Sequence, residues 1–439
     1  MKVIFILPTQ YDREDRIVRV KKASVNLNLN LPLLAGLTPK DIETEIFYDY
    51  IEEVTSDIPC DLVAISGLIC TTPRAYELAD AFRARGKKVV MGGFHISAMP
   101  EEALEHCDAV VIGEAENVWE QVIDDARSDR LNSIYKSETR AILGGQPPPR
   151  YDLIKKNLYK IEVYPVESSR GCPYNCEYCA VTKFHGGQYR HRPVAEVVRN
   201  IQATGSRYIA FVDDNIIGDK AYSRELFKAL IPLDIRWMAQ TTMYLADDPE
   251  LLELAYKSGM RFAWTGIESI NPDNLKEVNR RINQVDEFER RIKEFNRLGI
   301  LVGANIMVGF DHDSRELYDE TYEFLVRNRV FPFVYILTPI PGTAIWDRFV
   351  KEDRILHRNW SRYTAYETVY QPKNFTPAEQ NDLYFNFITR LFSFQNNIMR
   401  SITRIRPSNF KEDFFIHLGA FLVGTAVQKV AKKRGPTYW

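Results

Sequence analysis

The chain predicts an α/β protein built as a doubly wound parallel sheet, then a partial or full β/α barrel, then a helical tail. Three observations lead there. Short β-branched runs alternate with helical patterns through the first 125 residues, the alternation resumes from about residue 160, and beyond about residue 375 the strands stop. Strands spaced by helices pair in parallel, because only a helical crossover returns the chain to the same edge of the sheet.

In the first unit the strands fall at residues 2–7, 43–47, 61–66, 88–91 and 109–112. Between them Thr72-Pro73 opens a helix reaching about residue 85, and Pro100 opens another. Residues 143–150 contain three consecutive prolines, which continue neither a helix nor a central strand, so the first domain is placed at 1–145. The second unit, residues 160–370, has six strands at 163–166, 208–212, 236–239, 262–264, 301–308 and 333–337. In a barrel of this kind reactive groups sit on loops after the carboxyl ends of the strands. The segments beginning at Cys172, Asp213, Gly266 and Gly309 all occupy such positions.

The tail, residues 375–439, predicts helices at 377–402 and 410–434. The second places Phe414, Leu418, Phe421, Leu422 and Thr425 on one face and ends in Lys429, Lys432, Lys433 and Arg434. Its uncharged run from Phe414 to Gln428 is shorter than the roughly 18 residues a membrane span wants. It therefore predicts a helix packed on the barrel with its basic end complementing the helix dipole, the alternatives being a peripheral membrane contact or a lid.

Composition narrows the function classes. At 439 residues, 45% hydrophobic and 26% charged, the chain has material for two or three folded domains, and a disordered or low-complexity protein is excluded. The 57 basic and 59 acidic residues leave a net charge of -2, so no global field draws the chain to nucleic acid. The N-terminal apolar run is short and lacks a small-residue cleavage site, which predicts a first strand and a cytoplasmic protein. Of the six cysteines, Cys60, Cys70 and Cys107 have no ligand spacing and predict buried small apolar residues.

The other three, Cys172, Cys176 and Cys179, form a C-x3-C-x2-C loop. Three thiolates on one short loop can hold three irons of a cubic cluster and leave the fourth iron open. Zinc is the chemical competitor, with His185 or His191 as its fourth ligand. With Tyr178 just before the third cysteine, the loop resembles the signature of the radical S-adenosylmethionine (radical SAM) superfamily. The resemblance implies a 4Fe-4S cluster whose open iron chelates SAM and whose reduction cleaves SAM to a 5'-deoxyadenosyl radical. It makes Tyr178 the adenine contact, and by position Gln240, Glu268 and Ser269 the candidates for the ribose or methionyl end of SAM. Thr338-Pro-Ile-Pro-Gly-Thr343 is similar to the closing segment of members that carry an N-terminal cobalamin-binding domain.

The first unit resembles that cobalamin-binding fold through Ser66-Gly-Leu68, Gly92-Gly93 and Gly113-Glu-Ala-Glu116. The resemblance implies cobalamin contacts at Ser66, Leu68, Gly92 and Gly93. An Asp-x-His-x-x-Gly motif is absent and no histidine precedes His95, so the implied cobalamin lacks a histidine lower ligand. A flavodoxin-like domain that binds nothing is the alternative, and an approach of Cys70 to the cofactor is a minor expectation.

Residues 181–193 resemble members acting on tetrapyrroles and polycyclic lipids, including the magnesium-protoporphyrin ester cyclase and bacteriochlorophyll C-methyltransferase group. Here Lys183, Arg190 and Arg192 are candidates to hold a carboxylate of substrate or SAM, and His185 and His191 to ligate a tetrapyrrole metal, donate a proton or simply hydrogen-bond. The resemblance thus implies cobalamin-dependent C-methylation of an unactivated carbon on a tetrapyrrole or lipid-like small molecule. An electron donor such as flavodoxin or ferredoxin would serve it. Alternatives are radical oxidation, cyclisation or rearrangement without methyl transfer, a metal-binding RNA-modifying module, and a structural zinc protein.

Overall fold

The computed structural model describes residues 1–280 and 282–402, together with Gly424 and Val427. Its first sheet contains β1 (Lys2–Leu7), β2 (Glu43–Tyr48), β3 (Leu62–Ser66), β4 (Lys88–Gly92), β5 (Ala109–Ile112) and β6 (Ile134–Lys136). All pairs are parallel, in the order β2-β1-β3-β4-β5-β6. Both faces of this sheet are covered, which is why its strands are apolar throughout. Val3 and Phe5 pack on one side with Leu31 and Trp119, from helices Asn30–Leu37 and Trp119–Arg127. Ile4 and Ile6 pack on the other with Leu78 and Phe82 of helix Thr72–Arg83.

The sixth strand departs from the five expected. It is three residues long with only Tyr135 buried, too short to show an alternation, and its pairing with β5 defines it.

The second sheet contains β7 (Val163–Val166), β10 (Tyr208–Phe211), β11 (Arg236–Thr241), β12 (Met260–Glu268), β13 (Leu301–Val308) and β14 (Phe331–Ile336). Between β7 and β10 lies a small antiparallel hairpin, β8 (Ser169–Arg170) with β9 (Arg190–His191). The six long strands are parallel in the order β14-β13-β12-β11-β10-β7, and β14 does not pair with β7, so the barrel is partial. Helices between the strands start at side-chain caps: Asp219 accepts from Ala221 and Tyr222, Asp248 from Leu251, and Ser314 from Leu317. Two of them stop at left-handed glycines, Gly205 and Gly299.

The two faces of this sheet differ. Trp237, Ala239, Ala263, Val302, Ile306, Val334 and Ile336 are buried against the helices. The intervening residues, Met238, Gln240, Trp264, Gly266, Asn305, Met307, Phe333 and Tyr335, are less buried and line a common open face.

After the barrel the chain returns to the first domain. Trp346, Trp360, Tyr363 and Val369 cluster with Ile69, and Glu102 accepts hydrogen bonds from Tyr76 (2.9 Å) and from the Trp360 indole (2.8 Å). The helix expected over 377–402 is two helices, Pro377–Leu391 and Phe394–Ile402. Ser393 divides them, its hydroxyl accepting from Asn396 N and its carbonyl from Asn397 N. The expected helix over 410–434 lies outside the described residues except for Gly424 and Val427. Among the described residues no helix is long and apolar enough to cross a membrane.

Candidate metal and cofactor site

The cysteine loop leaves the barrel at the carboxyl end of β7, and its approach is held by carboxylates from the end of β10. Asp213 accepts from the Ser168 backbone N–H (2.8 Å), the Ser169 hydroxyl (2.6 Å) and the Ser168 hydroxyl. Burial pushes its carboxyl up to about 7. Asp214 accepts from Gly171 N–H at 2.7 Å. Gly171 itself has φ of +91°, and a Cβ there would stand 2.1 Å from the Gln188 carbonyl oxygen. Only glycine lets the chain cross at that point.

Beside the hairpin lies a buried lattice of charge. Glu167 accepts from Arg170 (2.8 Å) and Arg192 (3.0 Å). From the first domain, Glu116 pairs with Arg170 (2.6 Å), and Glu114 pairs with Arg190 and His185 (both 2.9 Å). Burial alone would raise the Glu114 carboxyl, but the His185 and Arg190 hydrogen bonds and the Arg170 charge outweigh it and hold it well below the usual range. Arg190 also donates to Ala141 O and Arg192 to Leu143 O. Both arginines expected to hold a substrate or SAM carboxylate are thus engaged in joining the two domains. Of the histidines, His185 likewise reaches the first domain by bonding Glu114, while His191 stays within the second, stacked on Tyr222 with ring centroids 4.2 Å apart.

Within the loop Cys176 is 5% exposed, and Cys172 and Cys179 are half-buried. Burial raises the Cys172 thiol and pushes Cys179 up to about 12, and each is raised further by the charge of its neighbouring thiols. Among the described residues no three His, Cys, Asp or Glu side chains converge as ligands of one ion. Three soft donors that repel one another when ionised suit a multi-iron cationic cluster, whose irons are ligated one by one. The loop is braced from outside by Glu177 N–H to Val278 O (3.1 Å) and by Asn279 to Asn175 O (2.8 Å).

Arg280, which the motif reading did not single out, reaches into this loop. Its guanidinium donates to Cys176 Sγ at 3.3 Å and lies 3.9 Å from Glu268, while its Nε is buried with no partner among the described residues. Burial opposes its charge, but Tyr178, Glu268 and Cys176 hold its pKa above the ordinary value. Glu268 is buried, which raises its carboxyl against the opposing pull of Arg280 and a hydrogen bond from Tyr178. It ends β12 with φ of +66° at a break in register, so the strand kinks just where its side chain is presented. Gly266 makes this possible, since a Cβ there would meet Glu268 Oε1 at 2.2 Å and Arg280 Nη2 at 2.8 Å.

The structure therefore brings Tyr178, Glu268 and Cys176 together. Gln240 is exposed on the open face of β11, in register with Trp264. Ser269 is buried, its hydroxyl accepting from Asn271 N–H and the Asn274 amide, both at 3.1 Å. In the first domain Ser66 and Gly92 end β3 and β4 side by side in register. Gly93 has φ of +112°, and a Cβ there would approach Gly67 O to 3.0 Å, so this strand-end surface is backbone. Leu68 stands 61% exposed beside it, an apolar side chain facing solvent. A strand-end platform of backbone with one free apolar side chain fits a large cofactor lying over it. Cys60, Cys70 and Cys107 are buried as expected, and burial pushes the Cys70 thiol up to about 11.

Comparison with known proteins agrees with the two-domain fold. The radical SAM superfamily model matches residues 166–325, and the B12 binding domain model matches residues 33–123. Bacteriochlorophyllide d C-12(1)-methyltransferase of Chlorobaculum tepidum is 31% identical over 81% of this chain and 80% of its own length. The bacteriochlorophyllide d C-8(2)-methyltransferase of the same organism is 29% identical over 80% of this chain and 82% of its own. The radical SAM methyltransferase TsrM of Kitasatospora setae, solved with cobalamin and a [4Fe-4S] cluster, shares the fold with a TM-score of 0.68 at 13% identity, covering 99% of this chain and 98% of that one. The cysteine loop, the front domain and this similarity across four-fifths of both chains lead to one conclusion: the chain belongs to the cobalamin-dependent radical SAM methyltransferases that carry an N-terminal B12-binding domain.

Proposed function

We propose that this enzyme methylates an unactivated carbon of a flat, apolar macrocycle of the chlorin type. The carrying observation is the open face of the second sheet, where Phe262, Trp264 and Phe333 form a mutual edge-to-face cluster with centroids 5.0 to 6.2 Å apart. Tyr335 extends it by stacking near Tyr366. This aromatic wall shares its face with Gln240 and leads to Glu268, the end at which the cysteine loop stands. Flat π-faces bury a flat ligand at low entropic cost. The bacteriochlorophyllide substrates named for the two Chlorobaculum relatives are of that kind.

Cys172, Cys176 and Cys179 would hold the 4Fe-4S cluster, and Ser66, Leu68, Gly92 and Gly93 would bear on cobalamin. When bound, the cluster and SAM supply radical chemistry and cobalamin supplies the methyl group. The chain's own part is placement and exclusion of water. Tyr178 would cover the adenine, while Gln240 and Glu268 would hold the ribose or methionyl end of SAM. Ser269 shapes the turn that follows Glu268. Arg280 fixes Cys176 and Glu268 relative to each other. An external electron donor of the flavodoxin or ferredoxin type completes the scheme.

The test is metal content and product together. After anaerobic reconstitution with iron, sulfide and hydroxocobalamin, about four irons and one cobalt per chain are expected, with a chlorophyllide gaining one methyl group in the presence of SAM and reductant. Iron without cobalt, with SAM cleaved and the chlorin oxidised or cyclised, would replace methyl transfer by the other radical chemistries.

A further inference from the structure

A cavity of about 410 Å³ lies at the seam of the two domains, on the strand-end edge that continues from Gly93 to Phe94 and the end of β5. Three segments wall it. The first domain contributes Phe94, Lys136 and Arg140; the helix Ala180–His185, which starts directly after Cys179, contributes Lys183 and Phe184; the barrel's closing segment contributes Ile340–Thr343. Phe94 and Phe184 meet across the seam with ring centroids 4.2 Å apart. The floor is thus apolar.

Its charge is unbalanced. Arg170, Arg190 and Arg192 nearby all sit in ion pairs with Glu114, Glu116 or Glu167. Lys136, Arg140 and Lys183 have no carboxylate partner among the described residues. Glu114, which also touches the cavity, is already held by Arg190 and His185, so Glu138 alone remains to oppose three cations. Arg140 is fixed rather than waving, because its guanidinium donates to Phe184 O. It passes beside Gly186, which has a left-handed φ of +67°. A seam that pairs its buried charges and leaves three cations around one apolar-floored cavity has the donor set for an anion.

We propose that this cavity binds an anionic group, a carboxylate or phosphodiester, carried on an apolar ligand, through Lys136, Arg140 and Lys183. The volume suits the arm of a large molecule, and Ala180 in its wall adjoins Cys179, so an arm anchored here leaves the body of the ligand beside the cluster loop. Resting on the reading above, two sources supply that chemistry: the acid side chain of a chlorin substrate, or the phosphodiester in the nucleotide tail of cobalamin.

The experiment compares the reconstituted wild type with Lys136→Ala/Lys183→Ala and with Arg140→Ala, first matched in melting temperature and iron content. Four probes are titrated anaerobically by absorbance or fluorescence: a chlorophyllide, its methyl ester, hydroxocobalamin, and cobinamide, which lacks the nucleotide tail. A substrate carboxylate predicts that chlorophyllide weakens about tenfold or more in the variants while the methyl ester does not. A phosphodiester predicts that loss for hydroxocobalamin and not for cobinamide. Wild-type binding of the anion that is held should also fall with added salt, a readout that needs no variant. Variants that bind all four probes like the wild type would overturn the site. A wild type that carries iron and cleaves SAM yet binds none of them would do the same while leaving the family chemistry standing. A wild type that does not cleave SAM would instead sink the function on which the sources rest.

Discussion

Cys176 is the most enclosed of the three thiols and the one that Arg280 touches, so single changes there separate holding the cluster from tuning it. Cys176→Ala removes one of the three proposed ligands and is expected to abolish SAM cleavage and bring iron well below about four per chain after reconstitution; unchanged cleavage would remove the loop from the chemistry. Arg280→Gln keeps the thiol but takes away a positive charge and a hydrogen bond 3.3 Å from its sulfur. The cluster should then be harder to reduce, its midpoint moving to more negative potential in a redox titration followed by paramagnetic resonance. An unmoved midpoint would leave Arg280 with structural work alone. Glu268→Ala should weaken SAM binding by calorimetry, and retained affinity would take Glu268 out of the site.

The elements that present these residues depend on a few backbone positions and buried carboxylates. Gly171→Ala must place a Cβ 2.1 Å from Gln188 O at a positive φ, so the hairpin of β8 and β9 has to open. The expected result is a loss of at least about 1–2 kcal/mol from the left-handed backbone alone, with reduced iron uptake, read by chemical denaturation and metal analysis. Asp313 closes the end of β13, accepting from Gly309 N–H at 2.6 Å and the Asn274 amide at 2.7 Å. Burial pushes its carboxyl up to about 6 from the ordinary 3.8. Its folded form therefore keeps the proton to higher pH than the unfolded chain does. The stability it contributes is complete below about pH 4 and is lost as pH rises through about 6. That loss amounts to about 3 kcal/mol. Asp313→Asn should flatten this part of the stability profile between pH 4 and 7, measured by urea midpoints; a profile identical to wild type would assign the slope elsewhere.

Across the whole molecule, the front domain grips the cluster loop through Glu114 and Glu116, which meet Arg190, His185 and Arg170 at the seam. Removing one carboxylate from a buried network leaves a guanidinium desolvated and unpaired. Glu114→Gln is expected to cost about 3 kcal/mol or more and to loosen the front domain from the barrel, seen as faster hydrogen exchange at both Ala141 and Arg190. Wild-type exchange in that variant would mean that the Trp360 cluster with Ile69 holds the domains without it.

The sequence by itself determined most of the strands and the cysteine loop, because both are written in neighbouring residues. Short β-branched runs mark β1 through β5 and the six barrel strands, and three thiols within eight residues share a loop whatever the fold. Tertiary structure alone decided what each charged side chain near that loop does. Arg190 and Arg192 read as ligand-binding arginines, and Asp213 and Asp214 as members of a strand-end motif. Folding sets Arg190 against Glu114 across 76 positions, Arg192 against Glu167 across 25, and Ser168 against Asp213 across 45. Arg280 meets Cys176 across 104 positions, and no local pattern announces it. The physical reason is range: backbone periodicity and loop ligation act within a few residues, whereas charge pairing depends on which surfaces the packed sheets bring within hydrogen-bond reach.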